Sequence, residues 1–186
     1  AQAAYAVGYT ELFALITWTS VGLMGATAAI AGQNLGAGYP DRSERSALVA
    51  SMIGVAVAAV VGLVFVIAPN LLLSIFGMND GIQFELGRQL LAYLAVSGIF
   101  VTVALIYTGG LQGTGDTRSP LYISIVSQVI IPIGLCSYID ATQGLQPSDI
   151  WLAIVLGHIA RAVLSVVRFR QGKWRSIAVN IESTAT

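Results

Sequence analysis

The sequence predicts an all-α integral membrane protein with about five transmembrane helices, and three observations support this fold class. Hydrophobic residues make up 56% of the 186 positions and charged residues only 10%, whereas a soluble domain carries about 25% charged residues. The mean hydropathy is +0.80. The apolar residues form uncharged runs of about 20 residues, which is the length that a helix needs to cross about 30 Å of hydrocarbon.

Five apolar spans follow one another along the chain. We place them at about residues 12–31, 47–68, 90–111, 121–139 and 150–167. Between the second and third spans, the apolar segment that follows Pro69 is too short to cross a bilayer, so it predicts a turn of interfacial helix. Residues 1–175 form one predicted domain of spans and loops, and residues 176–186 form a polar tail.

A glycine-rich polar hinge, residues 32–45 with the sequence GQNLGAGYPDRSER, joins the first two spans. Gly36 and Gly38 permit the left-handed backbone that often ends a helix. Asp41, followed three residues later by Glu44, predicts a capping box for the second span. We therefore expect a tight helix–turn–helix connection here.

A second glycine-rich hinge, residues 112–120 with the sequence QGTGDTRSP, joins the third and fourth spans. Ser119 lies directly before a proline, which predicts an N-cap and first-turn pair for the fourth span. Ser148 is the predicted N-cap of the fifth span. Asp80 with Gln83 predicts a cap on the approach to the third span.

The basic residues predict the orientation of the spans. Because successive spans alternate sides, both hinges and the C-terminal segment share one face. Seven basic residues lie on that face and Arg88 alone on the other; the seven are Arg42, Arg45, Arg118, Arg168, Arg170, Lys173 and Arg175. The positive-inside rule then places the hinges and the C-terminus in the cytoplasm and the N-terminus of the chain outside the cell membrane. A chain that starts outside with neither a signal peptide nor a methionine is expected to be part of a longer protein.

The balance of charges and the scarcity of reactive side chains exclude other classes. Nine basic and nine acidic residues cancel, which argues against a nucleic-acid partner. Cys136 is the one cysteine, so an internal disulfide framework and a cysteine-rich metal site are excluded. The chain has one histidine and no pair of carboxylates inside a span. We therefore expect neither an enzyme nor a bound cofactor.

Three ionisable residues lie in or beside the spans, where a charge is costly and indicates function. If the first helix begins near Tyr5, Glu11 is two turns deep and could bind a proton or a cationic substrate; if it begins near Leu12, Glu11 is a solvated cap. His158 and Arg161 are three residues apart and share a helix face. His158 could relay protons or form a hydrogen bond with a neighbouring helix.

Two uncharged polar residues complete the candidate substrate or cation path. Gln128 lies four residues before Pro132, which must bend its helix, and it is the preferred candidate to face a cavity. Tyr107 is the second. Other hydroxyl groups in the spans are expected to form mostly hydrogen bonds between helices; they include Thr17, Thr19, Ser20, Thr102 and Ser127.

Both hinges resemble loop signatures of the multidrug and toxic compound extrusion (MATE) transporters. The first resembles the family's G-Q-x-x-G-A-G segment between the second and third helices of each six-helix lobe, through Gly32, Gln33, Gly36 and Gly38. The second resembles the loop between the fourth and fifth helices of a lobe, through Gly113, Gly115 and Asp116. The two signatures lie about 75 residues apart with two spans between them.

The resemblance implies a partial C-terminal lobe, helices 8 to 12 of 12, whose partner is the missing N-terminal lobe of the same chain. It implies outward export of small organic, cationic substrates by antiport with H⁺ or Na⁺. Some members carry an acidic residue in the tenth helix, but residues 90–111 contain none. We therefore expect the coupling carboxylate in the missing lobe, with Glu11 as a second choice, and no transport by these five helices alone.

Three alternatives stay open beside this interpretation. A related flippase that moves a lipid-linked precursor would need several basic residues around a cavity, and the spans offer only Arg161. An intramembrane enzyme would need clustered acid, base or nucleophile side chains. A non-catalytic membrane scaffold would have packed helices without water-accessible polar groups.

Overall fold

The computed structural model of the chain describes residues 10–78 and 81–177, and the regular structure within them is helical. Its helices are α1 (Ala14–Gly36), α2 (Pro40–Ile67), the short α3 (Pro69–Ile75), α4 (Gly81–Gly113), α5 (Arg118–Gln143) and α6 (Pro147–Arg170), and a 3₁₀ turn follows at Lys173–Ser176. Five of these helices are long and apolar enough to cross a membrane. The all-α membrane fold with about five spans is therefore confirmed.

The helices extend beyond the apolar runs from which the spans are predicted. α2 begins at Pro40 rather than near residue 47, and α4 begins at Gly81 rather than near residue 90. Charged residues are tolerated in a helix once it leaves the hydrocarbon, so an apolar run measures depth in the membrane and not helix length. Tyr5 and Asp80, on which two sequence-based expectations rest, lie outside the described residues.

The predicted capping box of α2 is wrong. Tyr39 occupies the N-cap position without a side-chain hydrogen bond, and Pro40 is the first helical residue. A proline at the first helical position has no N–H to leave unsatisfied, and its fixed φ suits the start of a helix. Asp41 and Glu44 thus lie inside the first turns, where their carboxylates are available to other partners.

The predicted serine caps of α5 and α6 are also wrong. The N-cap of α5 is Thr117, and Ser119 lies within its first turn. In α6 the N-cap is Gln146, whose backbone N–H donates to Asp149 Oδ2 at 2.9 Å. Pro147 is the first helical residue, so Ser148 is already inside the helix. Pro147 at the first helical position therefore sets the start of α6, whereas α5 starts two residues before Pro120.

α4 lies at the centre of the bundle and contacts α1, α2 and α6 along its length. Its buried side chains include Leu90, Leu91 and Leu94, each at most 2% exposed. Small residues let membrane helices approach closely, and Gly109 lies directly against the backbone of α1 at Met24. The core of the protein is therefore organised around α4.

α5 contacts mainly α6 and is interrupted by a π-helical segment, Val126–Ile130, followed by Pro132. The backbone N–H of Ile131 donates to Val126 O, and Pro132 has no N–H to give to the Ser127 carbonyl one step further along. That carbonyl oxygen faces α6, where a Cβ added to Gly157 would lie 2.5 Å from it. The sequence predicts a bend at Pro132, and the structure has a π-bulge there that packs against Gly157 of α6.

Candidate functional site

Ion pairs bring the two hinges and the C-terminal segment together at one end of the bundle, which we call the hinge end. Arg168 Nη2 lies 2.6 Å from Asp116 Oδ2 in the second hinge. Arg175 Nη2 lies 2.5 Å from Glu44 Oε2 and 3.2 Å from Asp41 Oδ1 at the first hinge. The prediction from alternating spans that these three segments share one end agrees with these contacts.

Two of the motif glycines bring the hinges into backbone contact. A Cβ added to Gly32 would lie 2.6 Å from the carbonyl oxygen of Gly113, and Gly113 itself lies against the backbone of Ala28. Beside them, Ser43 Oγ donates a hydrogen bond of 2.7 Å to the Ala31 carbonyl. Any side chain at Gly32 or Gly113 would push α1 and α4 apart.

Two other motif glycines serve the turns. Gly38 has φ +80° and Gly115 has φ +92°, a left-handed conformation that favours glycine. Gly36 instead closes α1 as its last helical residue and has no positive φ, so the expectation of a left-handed Gly36 is wrong. Gln33 is exposed on α1.

Asp116 anchors the second hinge to α6. Its carboxylate accepts hydrogen bonds from Ser119 N at 3.2 Å, Ser119 Oγ at 2.9 Å and Arg168 Nε at 2.8 Å, and it is 5% exposed. Burial on its own raises the pKa of this carboxyl, but the hydrogen bonds from Ser119 and Arg168 outweigh it and hold the pKa below its ordinary value. From the sequence, Arg168 gives only an orientation signal, and nothing in it predicts this contact.

The C-terminal segment turns back onto the hinge end. Gly172 adopts a left-handed φ of +68°, and Trp174 is buried with its Nε1 donating to Phe169 O at 2.7 Å. The rings of Trp174 and Phe169 stack with centroids 5.0 Å apart, and Tyr107 meets Phe169 edge-on at 5.4 Å. Tyr107, a candidate path residue, thus packs in a buried aromatic cluster with Phe169 and Trp174 at the hinge end.

His158 forms a buried link between α6 and α4. Its Nδ1 lies 2.6 Å from Ser97 Oγ, and the Phe13 ring of the segment before α1 stacks on the imidazole with centroids 6.4 Å apart. Of the two interpretations given from the sequence, a hydrogen bond to a neighbouring helix agrees with this geometry. Ser97 was not among the predicted residues because serine is common in helices and gives no distinctive signal.

Gln128 lies in the π-bulge of α5, beside the face of α6 that carries Gly157. Its Nε2 lies 3.6 Å from the position that a Cβ on Gly157 would occupy, one residue before His158. This amide nitrogen is buried and has no hydrogen-bond partner among the described residues. Arg161 is half-buried about one turn further along α6. The structure therefore places Gln128, His158 and Arg161 on or beside one part of α6.

Most hydroxyl groups in the spans bond within their own helix. Ser20 Oγ instead lies 2.7 Å from Thr102 Oγ1 and joins α1 to α4, as Ser97 joins α4 to α6 and Ser43 joins α2 to α1. Thr17, Thr19 and Ser127 each donate to a carbonyl three or four residues earlier. The expectation that most of these groups link helices is wrong, because a helical Ser or Thr always has such a carbonyl within reach.

Glu11 lies before α1, far along the sequence from Gln128, His158 and Arg161. Its side chain is exposed in the π-helical turn at residues 10–12.

Cys136 is half-buried on α5. Within residues 10–78 and 81–177, no group of three or more His, Cys, Asp and Glu side chains is placed to hold a metal ion.

Comparison with known proteins identifies similar sequences. The model of the MatE family matches residues 1–137. Over 155 residues the chain is 31% identical to "Multidrug resistance protein MdtK" of Pectobacterium atrosepticum, which covers 81% of this chain and 33% of that protein. Over 153 residues it is 27% identical to "Probable multidrug resistance protein NorM" of Deinococcus radiodurans, covering 80% and 34%. The chain thus spans about a third of the length of these curated relatives.

Proposed function

The chain belongs to the MatE family, and from this membership we propose that it is part of a secondary active multidrug efflux transporter. The transporter exports small organic, cationic substrates across the cell membrane in exchange for H⁺ or Na⁺. The observation that carries the proposal is the family match over residues 1–137. The names of the relatives support the substrate class, since they are multidrug resistance proteins.

We propose that the hinge end faces the cytoplasm. Supporting this orientation, it gathers Arg45, Arg168, Arg170 and Arg175 at one end of the bundle, and an excess of basic residues marks the cytoplasmic side of a membrane protein. Arg88, near the start of α4, then lies on the outer side. In this orientation the C-terminal segment is cytoplasmic and the chain enters α1 from outside.

The described helices form part of a larger transporter in this proposal. Curated relatives are about three times as long as the matched region, so the remaining length would supply the missing helices, including the N-terminal lobe. A central cavity between two lobes needs both of them. The 186 residues alone are accordingly not expected to transport.

Within this lobe we assign the polar residues on and beside α6 to the substrate or cation path. His158 and Arg161 lie on neighbouring turns of α6, and the buried, unpaired Nε2 of Gln128 adjoins the same helix. An unsatisfied buried amide costs about 1 to 3 kcal/mol, and a bound substrate or water would satisfy it. Glu11 and Tyr107 stay candidates at the two ends of the bundle.

An efflux assay tests the proposal. Cells that lack their own drug pumps are given either the complete gene that encodes this chain or the 186 residues alone, and loss of the fluorescent cation ethidium is followed. The complete protein is expected to export ethidium and the 186 residues are not. Collapse of the proton gradient, compared with removal of Na⁺, identifies the coupling ion. Export by the 186 residues alone, or none by the complete protein, would overturn the proposal.

Glu11→Gln and Gln128→Leu in the complete protein test the path residues. The first should change the pH dependence of export and the second should raise the ethidium concentration needed for half-maximal export. Gln143→Leu, at an exposed position at the end of α5, is the matched control. Unchanged export by both variants would remove these two residues from the path but leave the transport function in place.

A further inference from the structure

A crevice of about 330 Å³ opens at the hinge end, between α2, α4 and α6. We call it the hinge-end crevice. Its floor is aromatic: Tyr107 and Phe169 are at most 6% exposed and meet edge-on. One wall ends at Leu48, which is 48% exposed. The crevice therefore has a rigid apolar base and an opening beside the outer face of α2.

Four charged side chains of the crevice come from α2 and α6: Asp41, Glu44, Arg45 and Arg170. The two carboxylates already have a partner, because Arg175 Nη2 lies within 3.2 Å of both. No described carboxylate lies within ion-pair distance of Arg45 or Arg170. With Arg175 included, three guanidinium groups face two carboxylates, so one positive charge is in excess and two guanidinium groups are available to a ligand.

The position of the crevice relates these guanidinium groups to lipid. α2 carries no charge from Ala47 to Ile67, and its exposed side chains there are apolar, with Met52 at 66% and Ile53 at 53%. This face would contact acyl chains in a membrane. The charged first turns of α2 come directly before it, so the crevice lies where acyl chains give way to headgroups.

The chemistry of the available groups favours a phosphate. Guanidinium groups bind phosphate oxygens in pairs of parallel hydrogen bonds, and basic pockets between helices at the cytoplasmic side of membranes bind anionic lipid headgroups. We propose that the hinge-end crevice binds the phosphate of an anionic phospholipid between Arg45 and Arg170, with an acyl chain lying along Leu48 and the outer face of α2. This requires that the chain spans a membrane with the outer face of α2 in contact with lipid, and it does not depend on the proposed transport.

Lipid retention tests the proposal. The protein is purified in mild detergent with equimolar phosphatidylglycerol and phosphatidylcholine, and native mass spectrometry counts the bound lipids. Phosphatidylglycerol should be retained in preference to phosphatidylcholine. Arg45→Gln and Arg170→Gln should each lower the affinity for phosphatidylglycerol about tenfold, the loss expected for one charge-assisted pair of hydrogen bonds. Arg42→Gln is the matched control, because Arg42 stacks on Tyr39 with its guanidinium carbon 4.6 Å from the ring centroid and does not line the crevice.

A second arm distinguishes lipid from soluble phosphate. Inorganic phosphate and glycerol 3-phosphate are added at the lipid concentration and should not displace phosphatidylglycerol, because they lack the acyl chain that packs on Leu48. Displacement by either would assign the crevice to a soluble phosphate ester and overturn the lipid proposal. Equal retention of the two phospholipids by the unsubstituted protein would overturn it without reference to any variant. Arg42→Gln weakening phosphatidylglycerol binding as much as Arg45→Gln would also overturn it.

Discussion

α4 and α5 are both long apolar helices, but they are held in different ways. Of the most apolar stretch of each helix, 61% is buried in α4 and 6% in α5. α4 contacts three other long helices, whereas α5 packs mainly on α6. α4 has an uninterrupted helical backbone over 33 residues, and α5 contains the π-bulge and Pro132. Helices of similar hydropathy therefore have two roles: α4 is the core of the bundle, and α5 packs on one side of it, mainly against α6.

The largest difference in stability is expected between substitutions of one glycine in α4 and one glycine in α5. Gly109 of α4 lies against the backbone of Met24, whereas nothing lies within 4 Å of a Cβ added to Gly134 of α5. Gly109→Leu forces α1 away from α4 and should cost about 3 kcal/mol of unfolding free energy. Gly134→Leu should change it by about 1 kcal/mol or less. Unfolding in mixed detergent micelles measures both, and equal losses would contradict the difference between the helices.

Asp116→Asn should have the next largest effect, because it releases the attached end of α5. The substitution breaks the buried contact with Arg168 and should cost about 2 kcal/mol of unfolding free energy. Asp140→Asn, at an exposed position of the same helix, is the matched control and should cost nothing measurable. A loss of the same size in both variants would mean that the effect of Asp116 is not specific to its contact.

The pH dependence sharpens this test. The pKa of Asp116 is lower in the folded protein than its ordinary value of 3.8, so below about pH 4 the unfolded state binds more protons than the folded state. The stabilisation is complete above that pH and is lost as the pH falls through the folded pKa. Unfolding free energies measured from pH 6 to 3 should show this loss in the unsubstituted protein, with a smaller slope in Asp116→Asn.

A smaller effect is expected at the contact of α5 with α6. Gly157→Ala places a methyl group against the Ser127 carbonyl, 2.5 Å away before any adjustment, and should cost about 1 to 2 kcal/mol. A spin label on Cys136 should become more mobile, since that residue is on α5. Gly98→Ala is the control in α4: the three atoms nearest to its Cβ would belong to the side chains of Ile16 and Phe13, and the label should be unchanged. An unaltered label in Gly157→Ala would show that other contacts hold α5.

The smallest effect concerns single hydrogen bonds. Ser20 and Thr102 join α1 to α4, whereas the Ser127 hydroxyl bonds only within α5. A double-mutant cycle with Ser20→Ala and Thr102→Val should give a coupling energy of about 0.6 kcal/mol, the mean for hydrogen bonds between membrane helices. Ser127→Ala should show no coupling with Thr102→Val. A coupling energy near zero between Ser20→Ala and Thr102→Val would show that this hydrogen bond does not help to hold α1 against α4.

The number of spans could be predicted from the sequence because an uncharged run of about 20 residues has few alternatives to a transmembrane helix. Helix ends could not, because a charged segment such as residues 41–46 gives no signal for helix or loop once it is outside the hydrocarbon. The caps failed for a related reason: Pro40 and Pro147 start their helices whether or not a serine or aspartate is nearby.

The sequence indicates which residues of the candidate site are unusual in a span, but not which partners they contact. A histidine inside an apolar run is conspicuous, so His158 was identified, but its partner Ser97 lies 61 residues away and its choice depends on how α4 and α6 are rotated. The contact of Arg168 with Asp116 depends in the same way on packing. The motif glycines Gly32 and Gly113 were identified through a family resemblance, and their contact explains physically why no side chain fits there.

The attachment of α5 through Asp116 has a geometric consequence. A helix of 26 residues is about 39 Å long, so a tilt of about 5° around its fixed end moves the far end by about 3 Å. A small tilt that keeps the Asp116 hydrogen bonds intact therefore moves the far end of α5 most, at the other surface of the membrane.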